Sequence, residues 1–253
     1  MAKKTKIHPI VFCISASVLL AGGCIMTSFP IFIFFGFAPL FALTDKADDS
    51  NMWRKMEWIL FSLISYFMAI HLFDFSFAVS SMTNAIVFTL PFLGYVWTRH
   101  ILGTYAGKFI IIFFWLAIEY LLLKILPSQT NFLADTLRFR PEWMLWNIHT
   151  GYLGASAWIL LANLLVYQTF LSENPMRWYW IILTVLIIIG PLLYSFTLNF
   201  EPITRKELMN LYRDKSIIKD VTYLSRGEIV VRTSSIISAM ILLFTLVKSQ
   251  TSK

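Results

Sequence analysis

Residues 178–198 read WYWIILTVLIIIGPLLYSFTL and decide the fold class, because no charged residue interrupts them. A helical run of about 20 apolar residues spans the roughly 30 Å hydrocarbon core of a bilayer. In the whole chain 58% of residues are apolar and 14% are charged, with a mean hydropathy of +0.69. Soluble domains carry about 25% charged residues. The sequence therefore predicts an integral membrane protein.

Seven further apolar segments surround this run and predict an all-α fold, a polytopic transmembrane bundle of about eight helices. The second of them is short and bracketed by Pro30 and Pro39, which predicts a tilted or incomplete span. The predicted domains are helices 1–7 in residues 1–198, a polar insert at 199–229, and the final helix with a tail at 230–253. The seven segments are 9–29, 31–43, 57–79, 83–99, 105–126, 151–171 and 230–247.

The polar insert directly follows the 178–198 segment and reads NFEPITRKELMNLYRDKSIIKDVTYLSRGE over residues 199–228. Thr204, with Glu207 three residues later, predicts the start of a helix. Leu208, Leu211 and Tyr212 would then share one apolar face, with basic residues around it. Such a helix suits either a membrane surface or a partner protein, and we expect it to be a docking site.

The distribution of lysine and arginine predicts the orientation of the spans. The lysine-rich N-terminus falls in the cytoplasm, and eight spans return the C-terminus to it. The 127–150 loop and the 199–228 insert then fall outside, although the insert is rich in basic residues. Either something acidic outside holds the insert, or a span is miscounted. The basic residues of the insert are Arg205, Lys206, Arg213, Lys215, Lys219 and Arg226.

Four polar residues within the apolar segments are candidate site residues. Glu119 is an intramembrane carboxylate, which marks either a functional site or a packing contact; packing is the favoured interpretation. His71 and Asp74 are three residues apart on one predicted helix face. They suit a proton relay or, better, a polar anchor at the membrane interface. Asn163 is predicted to form hydrogen bonds between helices.

The loop between the fifth and sixth segments offers Arg138 and Arg140, which suit bidentate contact with a lipid phosphate; an ordinary solvated loop is the equal alternative. Four histidines and two cysteines, Cys13 and Cys24, supply too few ligands for an expected metal site. We also expect no cofactor. Basic residues clustered at segment ends indicate contact with the phospholipid bilayer instead of nucleic acid.

Several motifs, in order and spacing, resemble the membrane domain of the apolipoprotein N-acyltransferase family over nearly the whole chain. The first two segments of the chain resemble that family's first helical hairpin. The fifth segment resembles the family's helix that carries a tryptophan and a glutamate. The sixth segment resembles its helix with a glycine-rich start and a later asparagine. The last segment is similar to the re-entry into the final helix. The residues are Phe29-Pro30, Ala38-Pro39-Leu40, Trp115 with Glu119, Gly151, Gly154 and Asn163, and 223–228.

The resemblance implies a bacterial inner-membrane protein related to lipoprotein modification, with one part missing. In the family, a carbon–nitrogen hydrolase domain with a Glu-Lys-Cys triad lies between the last two helices. Here the insert occupies that position and contains no cysteine. A segment of about 30 residues cannot build a core that holds a triad. No catalytic residue is predicted, and we expect no enzymatic activity from the chain alone.

The sequence is compatible with three functions. The first is a non-catalytic scaffold or accessory subunit of an inner-membrane complex, with partner proteins docking on residues 199–228. The second is the membrane half of a split N-acyltransferase, or an anchor for another lipid-using transferase. The third is a transporter, which the few intramembrane charges and the absence of a paired repeat disfavour.

Overall fold

Helices form nearly all of the regular structure in the computed structural model, which describes residues 8–45, 51–103, 107–126, 130–172, 178–199, 201–213 and 229–251. No strand occurs within these ranges. Three-residue to five-residue 3₁₀ turns lie at Phe75–Phe77, Leu133–Leu137 and Pro141–Met144. The helices are α1 (Pro9–Ile25), α2 (Ile33–Gly36), α3 (Ala38–Asp45), α4 (Met52–Ile70), α5 (Ala78–Leu102), α6 (Phe109–Ile125), α7 (Asn147–Thr150), α8 (Gly154–Val166), a π-helix (Tyr167–Leu171), α9 (Trp178–Thr197), α10 (Arg205–Arg213) and α11 (Ile229–Thr251).

Four helices of the described part are long and apolar enough to cross a membrane. They confirm the prediction of an all-helical chain with apolar helices of membrane-spanning length. Shorter apolar helices occupy Pro9–Ile25 and Ile33–Asp45. The four long ones are Phe75–Leu102, Gly154–Leu171, Trp178–Thr197 and Val230–Thr251.

The two most peripheral helices, α9 and α11, bury small polar side chains and expose large apolar ones. In α9 the buried residues are Thr184, Ile188 and Ser195. In α11, Ser234, Ser238 and Thr245 are all buried. A helix in water has the opposite pattern, whereas helices in lipid pack through small and hydroxyl side chains. The exposed residues of α9 and α11 include Ile182, Leu186, Leu193, Phe196, Ile236, Leu243 and Phe244.

A proline in α9 explains one of its few polar contacts. Pro191 has no backbone N–H, so the carbonyl of Ile187, four residues earlier, loses its helical partner. The indole Nε1 of Trp158 in α8 donates to that carbonyl at 2.6 Å. This bond satisfies a group that would be costly to leave unpaired in hydrocarbon, and it joins α9 to α8.

The core is centred on Trp115 of α6, which is fully buried. Its ring packs against Phe88 and Phe92 of α5, with centroid distances of 4.5 and 6.2 Å. Phe37, between α2 and α3, meets it edge-on at 5.1 Å. Aromatic pairs in this range add to the stability gained from burial alone. The central elements are therefore held together by one aromatic cluster.

The short second segment forms two helices, α2 and α3, separated by a break at Phe37. Asn163 of α8 serves that break. Its Oδ1 accepts from the N–H groups of Phe37 and Ala38, at 2.7 and 3.2 Å. Its Nδ2 donates to the carbonyls of Ile33 and Ile159, each at 2.8 Å. The buried amide thus replaces helical hydrogen bonds that the break removes.

The third predicted segment, 57–79, differs from the structure, since α4 covers Met52–Ile70 and a turn follows it. Leu72 and Phe73 adopt positive φ values of 51° and 60° in this turn. Such values are uncommon for large side chains, so the apolar sequence alone does not reveal a turn here.

Contacts between elements define two ends of the molecule. At one, which we call the Asp45 end, Asp45 of α3 meets Lys108, which precedes α6, and Tyr167 of the π-helix. At the other, the Asp135 end, the N–H of Ala134 donates to Ser156, near the start of α8, at 3.0 Å. Helix α8 and the π-helix together run from one end to the other.

Candidate functional site

The candidate site lies at the Asp135 end and rests on Glu119, which is completely buried on α6. Its Oε1 accepts from the indole Nε1 of Trp115 at 3.1 Å and from the N–H of Leu133 at 2.7 Å. The second bond fixes the 3₁₀ turn Leu133–Leu137 to the helix. In this structure Glu119 therefore positions the loop that carries the site.

Asp135, in that turn, is the centre of the site. Its side chain is 4% exposed. It accepts from the N–H of Phe132 at 2.7 Å, from the hydroxyl of Tyr152, and from Arg205 NH1 at 2.8 Å. Burial raises the pKa of Asp135, and the Arg205 guanidinium partly opposes that rise. The carboxylate is thus buried but fully engaged.

Arg205 joins the insert to the loop. Besides its pair with Asp135, it donates through NH2 to the carbonyl of Thr130. Its guanidinium lies 4.7 Å from the ring centroid of Phe132, within cation–π range. The first turn of α10 is therefore tied to the 130–137 loop by charge, backbone and aromatic contacts.

The start of α10 agrees with the N-cap predicted from the sequence. The N–H of Thr204 donates to Glu207 Oε2 at 2.7 Å, and the N–H of Glu207 donates to Thr204 Oγ1 at 3.2 Å. These are the two bonds of a capping box. Ile203 and Leu208 are 6% and 4% exposed. This part of the insert is packed into the fold.

A pocket of about 260 Å³ opens between the loop and α10, and we call it the Asp135 pocket. It brings together three residues that the sequence proposed separately: Arg138, Arg205 and Lys206. Arg138 and Lys206 are exposed. Three cations around one carboxylate leave an excess of positive charge, which favours an anionic ligand. The rest of the lining is Pro141, Met144, Tyr152, Pro202, Ile203 and Thr204.

His71 and Asp74 lie in the turn after α4, apart from the pocket. His71 Nε2 is 2.8 Å from Asn131 Nδ2; since an amide nitrogen only donates, this contact is a hydrogen bond in the tautomer that leaves Nε2 without a proton. Partial burial, followed by the charge of Arg138, lowers the pKa of His71. Asp74 accepts from the N–H of Ser76 at 2.9 Å, and this bond lowers its pKa. Both residues therefore make hydrogen bonds that stabilise the turn.

The remaining candidate residues are also separate from the pocket. Arg140 Nε donates to the carbonyl of Ser28 at 2.7 Å, and its NH1 lies 3.1 Å from Glu142. Asn163 serves the break between α2 and α3, as described above. Leu211 and Tyr212 belong to α10, but their side chains lie outside the described parts. Among the residues that are described, no group of three or more His, Cys, Asp or Glu side chains is arranged to hold a metal ion.

Sequence reasoning missed Asp135 and Tyr152, which form the floor of the pocket. The one available signal was an aspartate directly after the apolar residues Phe132-Leu133-Ala134. Its partner Arg205 lies 70 residues further along the chain, so no local spacing connects them. No protein family, no curated protein and no solved structure matches this chain.

Proposed function

We propose that this protein is a non-catalytic accessory subunit of a membrane complex, which binds an acidic surface of a partner protein at the Asp135 pocket. The single observation that carries the proposal is the meeting of Arg138, Arg205 and Lys206 at that pocket. Arg205 is already committed to Asp135. The exposed side chains of Arg138 and Lys206 are therefore the groups that recognise the partner.

The proposal includes a membrane location with eight helical passes, counting the broken α2–α3 pair and the shorter helices α1, α4 and α6. Its support is the four long apolar helices and the outward-facing apolar residues of α9 and α11. With the lysine-rich N-terminus in the cytoplasm, the Asp45 end is cytoplasmic and the Asp135 end faces outside. An acidic partner there would also balance the basic insert.

The absence of catalysis is part of the proposal and rests on the cysteines. A reactive thiolate needs a polar, partly exposed setting. The chain's two cysteines, Cys13 and Cys24, are 7% and 8% exposed within α1. Neither lies in the insert, which the acyltransferase resemblance would place where that family carries its hydrolase domain. The acyltransferase resemblance favours a separately encoded hydrolase in the bacterial inner membrane as the partner.

Co-purification from native membranes in mild detergent tests the proposed function. We expect the wild-type chain to bring down a stable partner, and Lys206→Glu to lose most of it, because the reversed charge repels an acidic surface. Arg54→Glu is the matched control: Arg54 is also exposed and basic on a helix, but α4 begins at the Asp45 end. It should retain the partner.

A wild-type chain that purifies alone, or equal retention by the two variants, would contradict the proposal. The nature of the partner is read separately, from lipoprotein N-acylation in a deletion strain. Loss of N-acylation identifies a hydrolase partner. Unchanged N-acylation excludes the split-acyltransferase version and leaves the accessory-subunit proposal to the co-purification result.

A further inference from the structure

A cavity of about 450 Å³ lies at the Asp45 end, away from the Asp135 pocket. It is bounded by the end of α3, the last turn of α5, the start of α6, the end of α8 with the π-helix, and the start of α9. We call it the Asp45 cavity. Its volume is within the roughly 300–1,000 Å³ of typical small-ligand sites.

One side of the cavity is a cluster of charges centred on Asp45. Its carboxylate accepts from Lys108 Nζ and from the hydroxyl of Tyr167. Lys108 Nζ also donates to that hydroxyl at 3.0 Å, and its side chain is only 12% exposed. Asp45, Lys108 and Tyr167 therefore satisfy one another in a largely buried triad.

Arg99 is the second cation of the cluster and is held less closely. Its NH1 lies 3.6 Å from Asp45 Oδ1 and 3.4 Å from the carbonyl of Thr44. Its side chain is 40% exposed. The described lining places two cations, Arg99 and Lys108, beside one carboxylate, which leaves a net positive charge of one. Arg99 carries that charge on a planar guanidinium, which suits bidentate contact with phosphate.

The opposite wall is apolar and aromatic. Leu164 and Leu165 of α8, Phe109 of α6 and Trp180 of α9 line it. Gln168 of the π-helix adds an amide between the two walls. A π-helix is a rare element that occurs frequently at functional sites. The cavity thus combines cationic and apolar lining residues. It lies at the ends of three helices that are long and apolar enough to cross a membrane, Phe75–Leu102, Gly154–Leu171 and Trp178–Thr197.

We propose that the Asp45 cavity binds a phosphate group, with the headgroup of an anionic phospholipid as its source. Arg99 binds the phosphate oxygens, Gln168 donates a neutral hydrogen bond, and Lys108 adds its charge from the triad. The glycerol and the first acyl carbons lie along Leu164, Leu165 and Trp180. A soluble phosphate ester shares the headgroup chemistry but would leave the apolar wall unused.

Lipid binding by the purified full-length chain, measured by native mass spectrometry in detergent, tests this inference. The probes are phosphatidylglycerol, diacylglycerol and inorganic phosphate. We expect phosphatidylglycerol to bind and diacylglycerol, which lacks the phosphate, to bind at least tenfold more weakly. Arg99→Gln should weaken phosphatidylglycerol binding about tenfold, as expected for loss of one charge-assisted contact. Arg54→Gln, which removes an exposed charge at the same end, should leave it unchanged.

Gln168→Leu is the second variant, and it keeps the charge cluster intact if Arg99→Gln proves unstable. We expect it to weaken phosphatidylglycerol binding by a smaller factor. Binding of inorganic phosphate without the lipid would support a phosphate site and assign it to a soluble ester. Equal phosphatidylglycerol affinity in the wild type, Arg99→Gln and Gln168→Leu would overturn the proposal, as would diacylglycerol binding as tightly as phosphatidylglycerol.

Discussion

At the residue scale, the ion pair between Arg205 and Asp135 governs the Asp135 end. Burial raises the pKa of Asp135 above its unfolded value. A raised carboxyl pKa means that the fold prefers the neutral acid. Its contribution to stability is complete below the unfolded value of about 3.9 and is lost as the pH rises through the folded pKa. Arg205 limits that loss by compensating the charged form.

Arg205→Met should therefore destabilise the protein more at high pH than at low pH. Removing one partner of a buried pair costs about 3 kcal/mol when the other remains charged. At pH 8 the variant must bury an unpaired carboxylate, whereas at pH 4 Asp135 is protonated more readily. Thermal unfolding in one detergent across this range measures the difference between variant and wild type.

The double variant Arg205→Met with Asp135→Asn is the control for the pH dependence. It removes the titrating carboxyl, so its difference in unfolding temperature from the wild type should vary less with pH. A cost of Arg205→Met that is the same at pH 4 and pH 8 would show that the arginine acts through contacts other than Asp135, such as those with Thr130 and Phe132.

Prediction from the sequence found a capping pair whose members are local, but it did not find the remote partner of Asp135 or the pocket that joins distant basic residues. Thr204 and Glu207 are three residues apart, and their capping box was foreseen. Arg138 and Lys206 were chosen for their charge, but their common pocket depends on a fold that brings positions 138 and 206 together. Asp135 was not chosen, because its burial is created by α10 and Tyr152.

At the element scale, the tight contact between α1 and α2 depends on a glycine. A Cβ atom at Gly23 would lie 2.8 Å from the backbone N of Ile33, and a backbone atom cannot move without shifting α2. We expect Gly23→Ala to cost about 1–3 kcal/mol through overpacking. The drop in thermal unfolding temperature, measured in detergent, checks this.

Gly22→Ala is the matched control on the same helix. A Cβ there would lie 3.5 Å from Phe32 Cδ2, an ordinary contact. Alanine favours a helix over glycine by about 0.5–1 kcal/mol, so this variant should be neutral or slightly more stable. Equal losses of thermal stability in both variants would mean that the close approach of α1 and α2 does not explain the need for glycine at position 23.

The apolar runs were enough to predict that these segments form helices, but they did not predict well the residues at which the helices end. The proline-bracketed second segment was expected to be a tilted or incomplete span, and it forms the broken pair α2–α3. The 57–79 segment was drawn as one span because Leu72 and Phe73 continue its apolar run. Their positive φ values accompany local bonds that end the helix, from the N–H of Leu72 to the carbonyl of Ala69 and from the N–H of Phe73 to the carbonyl of Met68. No glycine marks this turn in the sequence.

At the scale of the whole molecule, the two ends should lie on opposite sides of a membrane. Lys206 is exposed at the Asp135 end and Arg54 at the Asp45 end. We expect a membrane-impermeant maleimide to label Lys206→Cys in cells with a permeable outer layer. Arg54→Cys should react only after the inner membrane is opened. The parent chain is the control, since both native cysteines are buried.

Labelling of both positions from one side would contradict the two-sided arrangement, and a reversed pattern would invert the orientation.

Composition was enough to predict a helical chain with membrane-spanning segments. The number of about eight passes stays a prediction, because α1 and the α2–α3 pair are shorter than an ordinary span. Their positions in the fold depend on packing, of α1 against α4 and of Phe37 against Trp115, which hydropathy does not measure.

The amide of Asn163 has a consequence for biosynthesis. Its partners Phe37 and Ile33 precede it by 126 and 130 residues. While the ribosome is still making the middle of the chain, the break between α2 and α3 lacks the group that completes its backbone hydrogen bonds. Unsatisfied backbone groups are not tolerated in lipid. If this break lies within a membrane, we therefore expect the α2–α3 pair to reach its final position only after α8 has been synthesised.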